Sequence, residues 1–451
     1  MRASHPLVAL VAVIALHVSP LALAWDDHSL MARPALAVLP EVRDAPPLRA
    51  ESLDAFLRAE GPALAEVLAR TEARAQASIP NYPPLPAALA YVADADETTR
   101  VRRFLESLRL NPEARQPLYV KAPHGAEVPA EGRIHWSAVT TLKDPGALGH
   151  AVLLGLEEGA EVPVIEVLAS ACDEPDYGFD LGVWEDNPTE WGPRYAMGTQ
   201  PFGDRTKEFS SQAPLHMGFY HEAAIVYSLA SFLGRTYPEM RIGQYAALAR
   251  HAFATGHDYW GWRFAGWALH HVQDLTMPYH AQVLPGVGVT RMLWVNFLSM
   301  LGMPRGADNA LRLVSNRHMT LEHYVREVLE EKVSAADRKH PFLGALADTS
   351  DDARLGSWID AYPRETLTAE TVARSRPVDR VLEKSVPRRL VSDPAYIVDE
   401  TEPDINVLHA VRAEMSQGEQ ALDQAFTPLL RGFGAHSRVF VRTLRRDRDR
   451  P

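Results

Sequence analysis

His270, Asp274 and His280 stand at intervals of four and six residues in the stretch His270-His271-Val-Gln-Asp274-Leu-Thr-Met-Pro278-Tyr-His280. Two imidazoles and a carboxylate so spaced could hold a zinc ion, which prefers nitrogen and carboxylate oxygen donors. On a helix of about 3.6 residues per turn, His270 and Asp274 share one face. Pro278 lacks an amide hydrogen and pushes the preceding residue towards extended backbone, so the helix is expected to stop and His280 to come from a loop.

That spacing is not specific by itself. With 18 histidines and 58 acidic residues, an acid four residues after a histidine arises about twice by chance, and His270/Asp274, His318/Glu322 and His323/Glu327 all show it. Other candidate donors give the pattern context. Asp173 lies in Cys172-Asp173-Glu-Pro-Asp176-Tyr-Gly-Phe-Asp180, His216 precedes Met-Gly-Phe-Tyr-His221, and Trp25-Asp-Asp-His28 follows an apolar leader. Asp176 is an alternative to Asp173, and His221 to His216, with the unused member of each pair supporting a donor.

Taken in chain order, these residues resemble the zinc-dependent phospholipase C and single-strand nuclease superfamily, all-α enzymes with three zinc ions in a cleft. In that family the mature chain starts with Trp, whose amine and carbonyl bind zinc, and Trp25 and His28 fit this opening. Asp173 and His216 fit the next two positions, His270, Asp274 and His280 the helix motif, and His318 and Glu322 the closing pair. The resemblance implies an all-α, multi-helix phospholipase C-like bundle in which Asp274 bridges two of three Zn2+ ions. It further implies that Asp173 and Asp274 serve catalysis and that a metal-bound hydroxide attacks the phosphorus. The gap from Trp25 to His28 is shorter than the family's, which puts His28 in the first helical turn. The stretch before Asp173 is about a hundred residues longer, and His280 to His318 is also long. The resemblance covers about 25–45 and 165–330.

The surrounding elements read as helical, with apolar residues recurring at three and four. Helices are expected at about 27–40, 51–60, 62–78, 98–110, 219–236, 243–256, 258–276, 291–302, 318–332 and 405–432. Loops are expected at 80–86, 112–133 and 374–404, where proline and charge cluster. Residues 46–160 read as an inserted helical subdomain and 340–451 as a helical C-terminal extension. In the helix at 258–276, Trp260, Phe264, Trp267 and His271 form a core stripe, so His271 is expected to pack rather than ligate.

Residues 1–24 read as a secretory signal peptide: Arg2, an apolar run, and Ala22 and Ala24 in an A-x-A arrangement, with cleavage before Trp25 and export to the periplasm or medium. Cys172 is the single cysteine, which excludes an internal disulfide. The formal charge of -12 opposes binding to polyanions, and the arginine-rich stretch from Arg438 to Arg450 reads as a solvated chain end.

The expected substrate is a phospholipid or another small phosphodiester. Residues 291–303, Met-rich and apolar, are a candidate peripheral membrane contact, and Glu rather than Asp at 322 is the phospholipase choice in that family. Single-strand nuclease or nucleotidase activity is the alternative. It would need stacking aromatics with basic flanks, for which Trp184, Trp191 and Arg194 are the candidates. A third reading is a catalytically silent exported binding protein stapled by metal.

Overall fold

The computed structural model describes residues 25–93, 96–205, 207–288, 290, 292, 305–398, 401–402 and 405–448. The fold is mostly helical, with 61% helix and 4% strand. Residues 1–24 and nearly all of 291–303 lie outside the described residues, and with them the expected signal peptide, the helix at 291–302 and the membrane contact. Among the described residues no helix is long and apolar enough to cross a membrane.

Helix α1 (His28–Leu36) begins where Asp27 caps it by accepting the amide hydrogen of Leu30, so His28 is its first residue. Strand β1 (Leu48–Arg49) pairs antiparallel with β5 (Glu161–Val162), bringing the two ends of the 46–160 segment side by side. Between them lie α2 (Leu53–Ser78), α3 (Glu97–Ser107) and a small sheet in the order β2 (Tyr119–Lys121), β4 (Leu153–Gly155), β3 (Arg133–Ile134). The segment is thus helical in its first half and carries short strands in its second. Leu53, Phe56, Leu57 and Leu64 belong to the same apolar core as the rest of the chain.

Next come α4 (Val164–Asp173), α5 (Glu208–His216), α6 (Pro238–Thr255) and α7 (Asp258–Asp274). Gly256, at φ 86°, terminates α6 in the left-handed conformation and lets the chain turn into α7. Every residue of α7 from Tyr259 to Asp274 is buried, so it is a central helix rather than one with a single core face. Close approach of α4 explains Gly266: a Cβ there would meet the Ala171 Cβ at 2.4 Å.

The chain continues through α8 (Pro278–Ala281), α9 (Arg305–Ser334), α10 (Pro341–Ala347), α11 (Thr368–Ser385), α12 (Val407–Glu414) and α13 (Gly418–Arg448). Four expectations are corrected. Pro62 does not divide α2, because Leu53, Phe56, Leu57, Leu64, Val67 and Leu68 form one buried stripe across it. Residues 368–385 are helix through Pro377, since Thr371, Ser375, Val378, Leu382 and Ser385 bury one face whose packing outweighs a proline cost of about 3 kcal/mol. The expected helix at 405–432 is two helices, α12 and α13. Nor is the first part of the arginine-rich stretch solvated: Arg438 is fully buried against Asp352 and the carbonyls of Ala35 and Leu346, and Arg445 lies over Phe253 and Trp262, whereas Arg446 is exposed.

Candidate metal centre

Four segments converge at the C-terminal end of α7. His270 and Asp274 come from its last turns, and His28 from the start of α1. His216 ends α5, and Asp176 lies in the 3-10 turn Glu174–Tyr177 after α4. His280 sits not in a loop but on the single turn of α8. Met277 is extended, as a residue before proline should be, and Pro278 then opens a new turn at the position where its missing amide hydrogen costs nothing. His318 and Glu322 lie one turn apart on α9, 2.7 Å from each other.

Asp274 is the hub. Its Oδ2 lies 3.0 Å from His216 Nδ1 and 3.3 Å from His270 Nε2. Its Oδ1 lies 3.4 Å from His28 Nε2 and 3.9 Å from His280 Nδ1. His216 Nδ1 and His270 Nε2 are 3.0 Å apart, and Asp176 Oδ1 stands 3.5 Å from His270 Nε2 and 3.8 Å from His216 Nδ1. Donors at 2.0–2.2 Å around a tetrahedral zinc ion are separated by roughly 3.3–3.6 Å. The separations of 3.0–3.3 Å among His216, His270 and Asp274 are therefore close to those of donors to one such ion. His28 Nε2, Asp274 Oδ1 and both His280 nitrogens are buried without hydrogen-bond partners. Such atoms cost free energy unless something fills the space between them. Three groups of side chains could each hold an ion: His216, His270, His271 and Asp274; His28, Asp176 and His270; and His280, His318 and Glu322.

Asp173, the expected donor, is engaged elsewhere. Its Oδ1 accepts the Ser29 amide hydrogen and its Oδ2 accepts from Lys121 Nζ, each at 2.9 Å. Lys121 Nζ also contacts Asp27 Oδ2 at 2.8 Å, so this lysine of β2 ties the 46–160 segment to the start of α1. Asp176 is the acid that faces the imidazoles. Between the paired histidines, His216 lies in the cluster, whereas His221 Nε2 is 2.8 Å from the Arg364 carbonyl oxygen. The Trp25 indole donates to the Gln273 carbonyl and Thr276 Oγ1, both at 3.1 Å, which lodges Trp25 against the end of α7. His323 and Glu327, the third pair at this spacing, take no part: Glu327 accepts amide hydrogens from Val407 and Leu408 at the start of α12.

Neighbouring groups fix the rings. His270 Nδ1 donates to the Cys172 carbonyl at 2.7 Å, leaving Nε2 as the inward donor. His28 Nδ1 is 2.9 Å from Gln273 Oε1, which in the same way turns its Nε2 towards Asp274. His216 has Asp180 Oδ2 3.4 Å from its Nε2, and Arg241 holds that carboxylate from behind. Asp180 stands in the same acidic stretch as Asp173 and Asp176, but no local pattern marks Gln273, Lys121 or Arg241, which act across long separations in the chain.

Electrostatics differ from ring to ring. Burial opposes charge on His216, but hydrogen bonds to Asp180 and Asp274 outweigh it and push its pKa up to about 10. Burial takes His280 down to about 4 and His318 well below the usual imidazole value. Two rings of the third group are thus ready to bind at neutral pH, whereas His216 must lose a proton. In the metal-free protein the raised pKa of His216 stabilises the fold below its unfolded value of about 6.5, and this contribution is lost as pH rises towards about 10. Over the same window the proton stops competing with metal. Apparent zinc affinity at this group should therefore rise by about tenfold per pH unit, one proton leaving per ion. Competitive zinc titrations between pH 6 and 9 measure the slope, and a flat profile would contradict the assignment of His216.

No known protein family, curated protein or solved structure matches this chain.

Proposed function

We propose that the chain is an exported, zinc-dependent hydrolase of phosphodiester bonds, most like a phospholipase C. The observation that carries this reading is Asp274, whose two oxygens face His28 and His280 on one side and His216 and His270 on the other. A single buried carboxylate reaching members of all three donor groups suits a cluster of ions rather than isolated structural sites. Zinc, when bound, polarises phosphoryl oxygen and lowers the pKa of a coordinated water. The protein's part is to hold the donors rigid, keep His280 and His318 neutral, and place Asp176 where it can accept or return a proton. Asp176 is 16% exposed, against 0–5% for Asp274, His216 and His270, which makes its side the approach from solvent.

The structure bears on the substrate as well. Trp184 is fully buried and donates to the Ser211 carbonyl, Trp191 is 9% exposed and donates to the Leu181 carbonyl, and Arg194 pairs with Glu106. The candidate stacking platform for a nucleic acid is therefore engaged in packing. An apolar cluster of Met217, Phe219, Val226 and Leu233, with partly buried Phe202, Phe232, Val283 and Met292, adjoins His216 and His280 in the chain. Met217, Phe219, Val226 and Leu233 are buried, so the preference for a lipid over a polynucleotide is supported by the packed Trp184 and Trp191 and not by an exposed apolar face. Zinc-loaded protein is expected to hydrolyse phosphatidylcholine in micelles faster than single-stranded DNA. Preferential nuclease turnover would reverse the choice.

One observation favours a metal-stapled binding protein: the donor atoms of His216, His270, His271 and Asp274 lie within 4.8 Å of one another, and four such donors can close a tetrahedral site. Bound zinc with no turnover of lipid, nucleotide or simple diester would select that reading.

A further inference from the structure

His271 is the last residue of the Trp260, Phe264, Trp267, His271 stripe, and the only one of the four with a nitrogen lone pair that can ligate a metal ion. It is 0% exposed, and neither ring nitrogen has a hydrogen-bond partner. A neutral imidazole always carries one N–H and one lone pair, so burial without partners leaves both unmet, which opposes folding unless something else satisfies them. The ring stacks near Tyr245 of α6 at 26° and lies with its centroid 4.8 Å from that of His216 and 5.0 Å from that of His270. Its Nδ1 is 3.9 Å from Asp274 Oδ2, too far for a hydrogen bond but close enough for two donors to one ion. Donor atoms of His216, His270, His271 and Asp274 all lie within 4.8 Å of one another. On α7, His270 and His271 flank Asp274 at four and three residues, the two spacings that bring side chains together.

We propose that His271 is a protein ligand of the ion held by His216, His270 and Asp274, binding from the core side. This rests on the zinc-cluster reading above and refines it. Three imidazoles and a carboxylate then complete that ion's shell, which makes it the anchoring ion of the cluster. His270 Nε2 is then taken by that ion, so Asp176, on the solvent side, is left with His28. The ions with fewer protein donors are then the ones open to substrate.

The test uses the full protein, grown with nitrogen-labelled histidine and loaded with spin-active cadmium in place of zinc. Scalar coupling between cadmium and an imidazole nitrogen that disappears in His271→Phe is expected. Phenylalanine keeps the aromatic packing against Tyr245, and the same variant should bind one ion at least about tenfold more weakly in competition with a chelator. Absence of coupling at His271 in protein that shows coupling at His216 and His270 would overturn the proposal, leaving a buried water or packing alone as the role of the ring. The wild-type spectrum decides this even if the variant does not fold. Protein that takes up no cadmium at all would instead remove the metal-cluster reading itself, so the two failures are distinguishable.

Discussion

In excess strong chelator at neutral pH, the protein is expected to melt on the order of ten degrees below its zinc-loaded transition, and to recover when zinc is restored. The size follows from what the ions would bridge. A structural zinc site contributes about 10–16 kcal/mol of apparent binding energy, while a folded domain is stable by only about 5–15 kcal/mol. Removing the ions leaves His28 Nε2, Asp274 Oδ1 and both nitrogens of His280 buried and unpartnered. It also leaves His216 protonated beside Asp274 and Asp180, an arrangement that offsets only part of the loss. The elements that carry these unpartnered imidazole nitrogens should open first. One is the four-residue turn of α8, whose His280 side chain has no partner without metal; the other is the entry to α1. Hydrogen exchange with and without chelator would locate the change there, and calorimetry would give its size. An unaltered transition in chelator, with metal shown to be absent, would count against any structural role for the cluster.

Much of the centre is legible in sequence because its donors come in short-range pairs that a helix brings together. His270 with Asp274 and His318 with Glu322 each need only regular helical geometry, and the structure puts both pairs side by side. Chain-local reasoning is weaker where two candidates are neighbours. Between Asp173 and Asp176 the choice rests on Lys121, which reaches Asp173 from a strand about fifty residues earlier. His271 shows the converse problem. Its place in an apolar stripe says buried, as it is, but burial among other imidazoles is a tertiary fact. The helical character of the chain follows from apolar periodicity, yet α4 passes unnoticed because it is short and its polar face is only Glu166, Ser170 and Asp173, two of them buried. Proline misleads at Pro62 and Pro377 because a local cost of about 3 kcal/mol is small beside the burial of a whole helix face.

Replacing Asp274 by Asn is expected to cost more activity than any other single change to the centre. The substitution keeps the shape and one acceptor oxygen but removes the charge. Burial opposes ionisation of Asp274, yet the facing His270, His216 and His28 hold its carboxyl well below the usual carboxylate range, so it is ionised at neutral pH. Its oxygens face members of all three donor groups, and a neutral amide would weaken the hold on an ion on either side. Zinc content in the variant should fall by at least one ion per chain. Phosphodiester turnover should fall by on the order of a hundred- to a thousandfold or more, the scale seen when one electrostatic group is taken from an active site. A second consequence separates this from simple damage to the fold. Without the Asp274 charge His216 keeps Asp180 as its one anionic hydrogen-bond partner, so its pKa should drop and the pH dependence of zinc affinity should shift to lower pH. Asp173→Asn is the informative comparison, because it perturbs the contacts to Lys121 and Ser29 rather than the imidazoles. It should reduce stability more than metal content. If Asp274→Asn retains its zinc and turns over at the wild-type rate, the shared-carboxylate arrangement is not what holds or drives the centre. If Asp173→Asn instead proves the more damaging to metal binding, the donor is Asp173 and Asp176 is its support.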